Sequence, residues 1–197
     1  MKIFFHFSVV GFSNTYLVGN SEGGDAILID PGHMDIELLK LIEENNYYIR
    51  YILLTHRHPS HCEGLKTLKK IYEPEIYANT PYIFESRVNP VGDGSVIELA
   101  GIRIQALLIP GHSSDSLVFK IENALFTGDV LMSGRIGSTD SSMSHSLLLR
   151  SIREKILPMD NHTLIFPGHG TPSTLGVEKI INPDLVDDQV NDSSCRA

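Results

Sequence analysis

Cysteine is scarce in this chain: Cys62 and Cys195 lie far apart, the second in a polar stretch near the end. Such a pair offers neither a disulfide framework nor a cysteine zinc knuckle, and it suits a reducing cytoplasm, the expected location. Positive charge is also in short supply. Sixteen Lys and Arg face 24 Asp and Glu, giving a net charge of −8 with nine histidines counted neutral. A protein built to grip phosphate backbones carries the opposite balance, so nucleic acid is not an expected partner. No apolar run reaches the roughly 18 to 20 residues that span a membrane. The apolar opening Met1 to Val10 has one lysine and no small-residue cleavage site, so it reads as a first strand rather than a signal peptide, and no membrane partner is expected.

What is present is ordinary for a soluble globular protein: 42% hydrophobic and 20% charged residues over 197 positions, enough for one domain with a sizeable core. The expected division is a single domain over residues 1–183 and a loose polar tail over 184–197. Strand-like runs at Lys2 to Val10 and Asn14 to Val18 are joined by Gly11-Phe12-Ser13, and a short buried strand, Ala26 to Ile29, ends in Asp30-Pro31-Gly32. Asp35 to Asn45 has the apolar spacing of an amphipathic helix. Strands are expected at Tyr51 to Leu54, Glu75 to Ala78, Ser95 to Leu99, Ile102 to Ile109, Leu117 to Ile121, Ala124 to Phe126 and Thr163 to Phe166. Helices are expected at Ser146 to Leu157 and Gly176 to Ile181, while Thr80 to Arg87 reads as irregular or helical.

The chemistry concentrates at the ends of the buried strands. Tyr51-Ile52-Leu53-Leu54 runs into Thr55-His56-Arg57-His58-Pro59-Ser60-His61. Side chains two apart on an extended chain face one way, so His56 and His58 meet at one spot, and His61 joins them as the chain turns into a helix. Ser60 and Glu63 have the spacing of a capping box, with Ser60 as N-cap. Three further strands deliver a histidine or aspartate in the same way, through Pro110-Gly111-His112, Thr127-Gly128-Asp129 and Pro167-Gly168-His169. In layered α/β proteins strand ends line the crevice where ligands bind. Imidazoles with a carboxylate suit zinc, with iron and manganese as further candidates, and a water on such an ion has its pKa lowered to about 7.

On these residues the chain resembles the metallo-β-lactamase-fold hydrolase superfamily, and within it the glyoxalase II-like (hydroxyacylglutathione hydrolase-like) branch. The resemblance runs from Ile29-Asp30-Pro31-Gly32 to Asn182-Pro183, and the run Pro167-Gly168-His169-Gly170-Thr171-Pro172-Ser173-Thr174 with Glu178 is the part most like that branch. It implies an α/β fold, a four-layer αββα sandwich with the metals along one edge. It also implies a first metal site of His56, His58 and His112, a second with His61 and His169, and Asp129 bridging as the catalytic carboxylate. The implied function is metal-dependent hydrolysis of a small acyl substrate, a thioester above all, with one or two zinc ions.

The chain departs from its relatives at two places. Ser60 stands where the family has an aspartate between the second and third histidines, and a hydroxyl is a poor substitute as ligand or proton acceptor, so a second ion held weakly or not at all is expected. Gly134-Arg135-Ile136-Gly137-Ser138-Thr139-Asp140 exchanges arginine and serine relative to Gly-Ser-Ile-Gly-Arg-Thr-Asp in relatives, which makes Arg135 and Ser138 candidate substrate contacts. The resemblance also stops short of the helical carboxyl-terminal domain that helps full-length glyoxalase II enzymes hold glutathione. Two other readings therefore stand beside the hydrolase: an oxidoreductase resembling mononuclear-iron persulfide dioxygenases, and a metal-binding protein without turnover.

Other residues carry less. Asp30 reads either as a turn former before Pro-Gly or as a carboxylate that holds a ligand histidine from behind. Cys62 is expected to be a small core hydrophobe rather than a reactive thiol. Arg57 should turn away from the metal by alternation, and His6, His33, His145 and His162 match no ligand position.

Overall fold

The computed structural model describes residues 1–186. The expectations for Cys195 and for the tail from 187 onward lie outside the described residues.

The first half of the chain builds one sheet. Its elements are β1 (Lys2–Phe7), β2 (Asn14–Gly19), β3 (Gly24–Ile29), α1 (Ile36–Glu44), β4 (Tyr47–Leu53), α2 (Pro59–Cys62), α3 (Leu65–Ile71), β5 (Glu75–Ala78), β6 (Tyr82–Ile83), β7 (Ser86–Arg87) and β8 (Asn89–Pro90). The six-stranded order is β1-β2-β3-β4-β5-β8, and β6 and β7 form a separate small hairpin. The second half supplies β9 (Val96–Leu99), β10 (Ile102–Leu108), β11 (Leu117–Ile121), β12 (Ala124–Gly128), β13 (Leu131–Met132), β14 (Arg135–Ile136), α4 (Ser142–Lys155), β15 (Leu164–Pro167), β16 (Ser173–Thr174) and α5 (Leu175–Ile181). Its sheet runs β16-β15-β12-β11-β10-β9.

Alternation along the strands explains the layering. In β2 and β3, Leu17, Ala26 and Leu28 face outward and pack with Leu38 and Ile42 of α1 and Leu65 and Leu68 of α3. Their neighbours Tyr16, Val18, Ile27 and Ile29 point the other way and meet Ile104, Ala106, Phe119, Ile121 and Phe126 of the second sheet. On the far side of that sheet, Val118, Leu125 and Ile165 pack with Leu148 and Ile152 of α4 and Leu175 of α5. Three cores between four layers make the expected αββα sandwich. Each fully buried Leu or Ile contributes about 1.5–3 kcal/mol. Among the described residues no helix is long and apolar enough to cross a membrane.

Strand direction places the site. β3 and β4 are parallel, as are β12 and β15, and β10 runs with β12 because each is antiparallel to β11. Asp30, His56, His112, Asp129 and His169 therefore all follow strand ends on one edge of the sandwich. Leu117 N–H donates to Thr55 O at 2.7 Å and ties the two sheets together there.

Several local expectations are corrected. Ser60 is not an N-cap: α2 begins at Pro59, His58 is its N-cap, and there is no side-chain capping hydrogen bond. Proline is pre-shaped for the first helical position, so it starts the helix one residue early and leaves Ser60 inside it. The helix also breaks after Cys62, where Gly64 N–H donates to Pro31 O at 2.9 Å, and a new helix starts at Leu65. Thr80 to Arg87 holds the β6–β7 hairpin rather than a helix. α4 starts at Ser142, because Ser141 accepts from Ser144 N–H and caps it. At the carboxyl end Asp184 Oδ2 accepts from Ile136 N–H at 3.0 Å and Leu185 is buried in the third core, so residues 184–186 are packed rather than loose.

Candidate metal centre

All six residues singled out at the strand ends come together, in two groups that share Asp129. One group is His56, His58, His112 and Asp129; the other is His61, Asp129 and His169. In the first, His58 Nδ1 lies 3.0 Å from His56 Nε2 and 3.1 Å from His112 Nε2, and Asp129 Oδ2 lies 3.9 and 3.7 Å from the latter two. Ligand atoms about 2.0–2.1 Å from a tetrahedral ion are about 3.3 Å apart, so the spacing suits a single ion. In the second group Asp129 Oδ1 is 2.7 Å from His169 Nδ1 and 3.5 Å from His61 Nε2.

The backing hydrogen bonds fix which ring nitrogen faces the site. Asp30 carries the central set: Oδ1 accepts Thr55 N–H at 2.7 Å, and Oδ2 accepts the Thr55 hydroxyl at 2.6 Å and His61 Nδ1–H at 3.1 Å. The threonine proton is committed to Asp30, so Thr55 Oγ1 accepts from His56 Nδ1–H at 3.0 Å. His56 thus turns a bare Nε2 toward Asp129, and His61 turns its Nε2 the same way, bare only when the ring is neutral. His112 does the same, its Nδ1–H donating to Ser138 O at 2.8 Å, while His169 Nε2–H donates to Gly11 O at 3.3 Å and leaves Nδ1 facing in. Second contacts of this kind set the tautomer and aim of metal-binding imidazoles. Of Asp30's two readings, the structure supports the carboxylate behind a histidine.

His61 Nε2 is buried with no hydrogen-bond partner, 3.5 Å from Asp129 Oδ1. A cation would satisfy it. Electrostatics agree. Burial and the neighbouring imidazoles, His61 first, push His56 down to about 2, which keeps it neutral as a ligand must be. Burial, then His112, also lowers His58. For His61 burial opposes charging, but Asp30 and Asp129 outweigh it and hold the ring up at about 10. Burial would raise Asp129, yet the neighbouring His169 and His61 imidazoles outweigh it and hold the carboxyl well below the usual carboxylate range. Two carboxylates thus demand positive charge at this spot. A proton on His61 supplies it until a metal ion displaces that proton.

The turns leave room for nothing larger. A Cβ on Gly168 would strike His61 Cε1 and approach Asp129 Oδ1 to 2.7 Å, and at Gly128 (φ +51°) it would strike the Thr55 hydroxyl. The turn bearing His169 is held by residues that sequence reasoning passed over. Asn14 Nδ2 donates to Pro167 O at 2.9 Å and to Gly170 O at 2.7 Å, and the Tyr16 hydroxyl donates to Pro167 O at 2.7 Å. A buried amide inside an otherwise apolar strand was the available signal.

A cleft of about 340 Å³ opens beside the two groups, lined by His112, Asp129, Met132, Arg135, Ile136, Ser138 and His169. Arg135 stands exposed on this rim, and Ser138 contributes its carbonyl to His112. Arg57 turns away and donates to Asp115 at 2.9 Å. Cys62 is buried; desolvation, then Asp30, pushes its thiol up to about 12, so it is a core residue. His6, His33, His145 and His162 join neither group.

A sandwich with paired His/Asp groups on one edge defines a metal-centred class, and comparison supplies the family. Residues 8–169 match the Metallo-beta-lactamase superfamily, to which this chain belongs. It is 34% identical to "Hydroxyacylglutathione hydrolase GloC" of Haemophilus influenzae, over 87% of this chain and 92% of that protein. Among solved structures it resembles the "BLEG-1 B3 metallo-beta-lactamase" (TM-score 0.83, 25% identity, 94% of this chain and 100% of that one). It is also similar to "TTHA1623 in a di-iron-bound form" (TM-score 0.77, 28% identity, 91% and 98% covered).

Proposed function

We propose that this protein is a metal-dependent hydrolase of a small acyl thioester, and that His56, His58, His61, His112, Asp129 and His169 hold one or two metal ions. The observation that carries the reading is the shared Asp129, whose two oxygens each face a separate set of imidazoles. Support for the thioester comes from the relative named as a hydroxyacylglutathione hydrolase, whose substrate by that name is an acyl group on a thiol. The donor set accepts zinc or iron, and the di-iron form of one structural relative keeps iron in view.

A bound ion would lower the pKa of a coordinated water to about 7 and polarise the acyl carbonyl. The chain's residues do the rest. Asp30, through Thr55 and His61, and Ser138, through its carbonyl, keep imidazole lone pairs aimed at one place. Asp129 is the carboxylate common to the two groups among the described residues, so it would offset positive charge there and is the proton acceptor that the two groups share. The rim of the 340 Å³ cleft, with Arg135, is where an acyl group with a carboxylate or carbonyl would be oriented.

The test is metal analysis of protein purified without chelator, together with free-thiol release from a panel of acyl thioesters. Bound zinc or iron with thiol release that chelation abolishes and metal restores is the expected result. Oxygen consumption on a persulfide without thioester turnover would overturn the reading in favour of an oxidoreductase, and metal binding with neither activity would leave a binding protein.

A further inference from the structure

Besides the cleft at Arg135, a second cleft of about 500 Å³ is lined by Arg57, His58, Tyr82, Ile83, Phe84, Ser113, Ser114 and Asp115. Phe84, at the tip of the β6–β7 hairpin, also forms a wall of a third, larger cavity of about 780 Å³. That cavity is floored by Leu65 and rimmed by Lys66, Lys69 and Lys70 of α3, with Glu85 and Ser86 of the hairpin. The two spaces share Phe84 in their linings, with His58 in the wall of one and a cluster of lysines in the wall of the other.

The lysine cluster stands out because the chain as a whole carries a charge of −8. Positions 66, 69 and 70 are spaced i, i+3 and i+4, which brings their ammonium groups to one side of the helix. Two are held in place: Lys66 Nζ lies 4.9 Å above the Phe84 ring, and Lys69 Nζ donates to Ser86 Oγ at 2.8 Å. Among the described residues that line the cavity three are lysines and one, Glu85, is an acid, so positive charge prevails in that lining. Tyr82 and Phe84 are strongly exposed for aromatic residues, at 61% and 49%; both line the cleft with His58, and Phe84 also lines the cavity with the lysines.

We propose that this groove binds the far end of the thiol half of the substrate, and that this end is phosphorylated. The inference rests on the thioester reading above. With the acyl carbon at the metal centre, the thiol arm would leave past His58, lie along Tyr82, Ile83 and Phe84, and deliver its phosphates to Lys66, Lys69 and Lys70. The chemistry of each part agrees. An uncharged arm suits an aromatic wall, and ammonium point charges suit phosphate oxygens, which need no planar fork. Three lysines match a group with several negative charges better than glutathione, whose two carboxylates are partly offset by its own ammonium. The class of substrate is therefore an acyl thioester of a coenzyme-A-type thiol.

The test uses the full chain loaded with metal and two independent readouts. The first is calorimetric titration with coenzyme A, the free thiol product, which reports binding without any turnover. The second is the ratio of kcat/KM for one acyl group carried on coenzyme A and on pantetheine, which lacks the phosphates. Coenzyme A should bind, more weakly as salt rises because the ammonium groups are exposed. The thioester on coenzyme A should be preferred at least tenfold, and Lys66→Ala/Lys69→Ala/Lys70→Ala should weaken binding at least tenfold and abolish the preference. Lys66→Ala and Lys70→Ala singly give the same comparison should the triple variant not fold. No binding of coenzyme A, or binding that the lysine variants leave unchanged, overturns the proposal even where thioesters are hydrolysed. Failure of thioester turnover with lysine-dependent binding of coenzyme A would sink the functional reading and leave the groove standing.

Discussion

Replacing Asp30 by asparagine should cost the protein its metal although Asp30 itself faces away from the ion. The backbone tolerates the change: Asp30 sits in the left-handed region at φ +51°, which asparagine accepts as readily as aspartate, and the two side chains have one shape. The hydrogen bonds do not tolerate it. An asparagine oxygen can take the place of Oδ1 and keep Thr55 N–H, but its amide group then faces the Thr55 hydroxyl and His61 Nδ1, two groups that now donate. His61 must move its proton to Nε2, the atom meant to face the ion. Thr55 must turn its own proton toward His56 Nδ1, which pushes the His56 proton to Nε2 as well. One atom changed at Asp30 thus reverses two tautomers, one in each group.

Losses of backing partners of this kind weaken metal binding about 10–100-fold, or about 1.4–2.8 kcal/mol. Because both groups lose a ligand, Asp30→Asn is expected at the upper end of that range. The assay is chelator competition for zinc, read alongside thermal melting of the metal-stripped protein to establish that the variant still folds. Thr55→Val should reproduce the His56 half of the defect alone. A folded Asp30→Asn protein that holds zinc as tightly as the parent would refute the tautomer argument and return Asp30 to a turn former.

Asp129→Asn keeps shape but removes the charge common to both groups, so metal content and thiol release should both fall at least tenfold, as metal analysis and a thioester assay will read. Gly168→Ala places a methyl group against His61 and Asp129; about 1–3 kcal/mol of stability should be lost, seen in denaturant melts, together with metal occupancy. Ser60→Asp adds a carboxylate beside the group of His61, Asp129 and His169, and metal stoichiometry should rise toward two per chain, whereas a parent protein that already holds two tight ions would remove the basis for that expectation. Cys62 should resist alkylation in a folded Cys195→Ser protein and react only on unfolding, as mass spectrometry of labelled protein will tell.

The clustering of the six residues was legible in the sequence because most of them follow strand ends. A strand end is a fixed point in an α/β layer, so apolar runs such as Ala106-Leu107-Leu108-Ile109 and Thr163-Leu164-Ile165-Phe166 announce where the next histidine will be. The groups behind the donors were harder to read. Asn14 and Tyr16 lie over 150 residues from the turn they hold, at Pro167 to Gly170, and only the pairing of the two sheets brings them together. Ser138 was singled out as a candidate substrate contact, yet it is its carbonyl that meets His112, and any residue at 138 has a carbonyl. Side-chain identity says nothing of such a role.

The capping box at Ser60 failed for a related reason. A cap motif is a local signal worth about 1 kcal/mol, and here it competed with Pro59, which fits the first helical position without cost, and with the Gly64 bond to Pro31, which breaks the helix two residues later. The outcome gives α2 only four residues, with His61 turned toward Asp129 and Cys62 packed in the first core. It also removes the structural excuse for a serine between two histidines. With no cap to make, Ser60 has no hydrogen-bonding duty at the start of the helix, and its difference from the family's aspartate bears directly on the second group. Whether that group fills is then decided by His61, His169 and half of Asp129 alone, which is why the metal count of the unmodified protein is the measurement on which the two-ion reading turns.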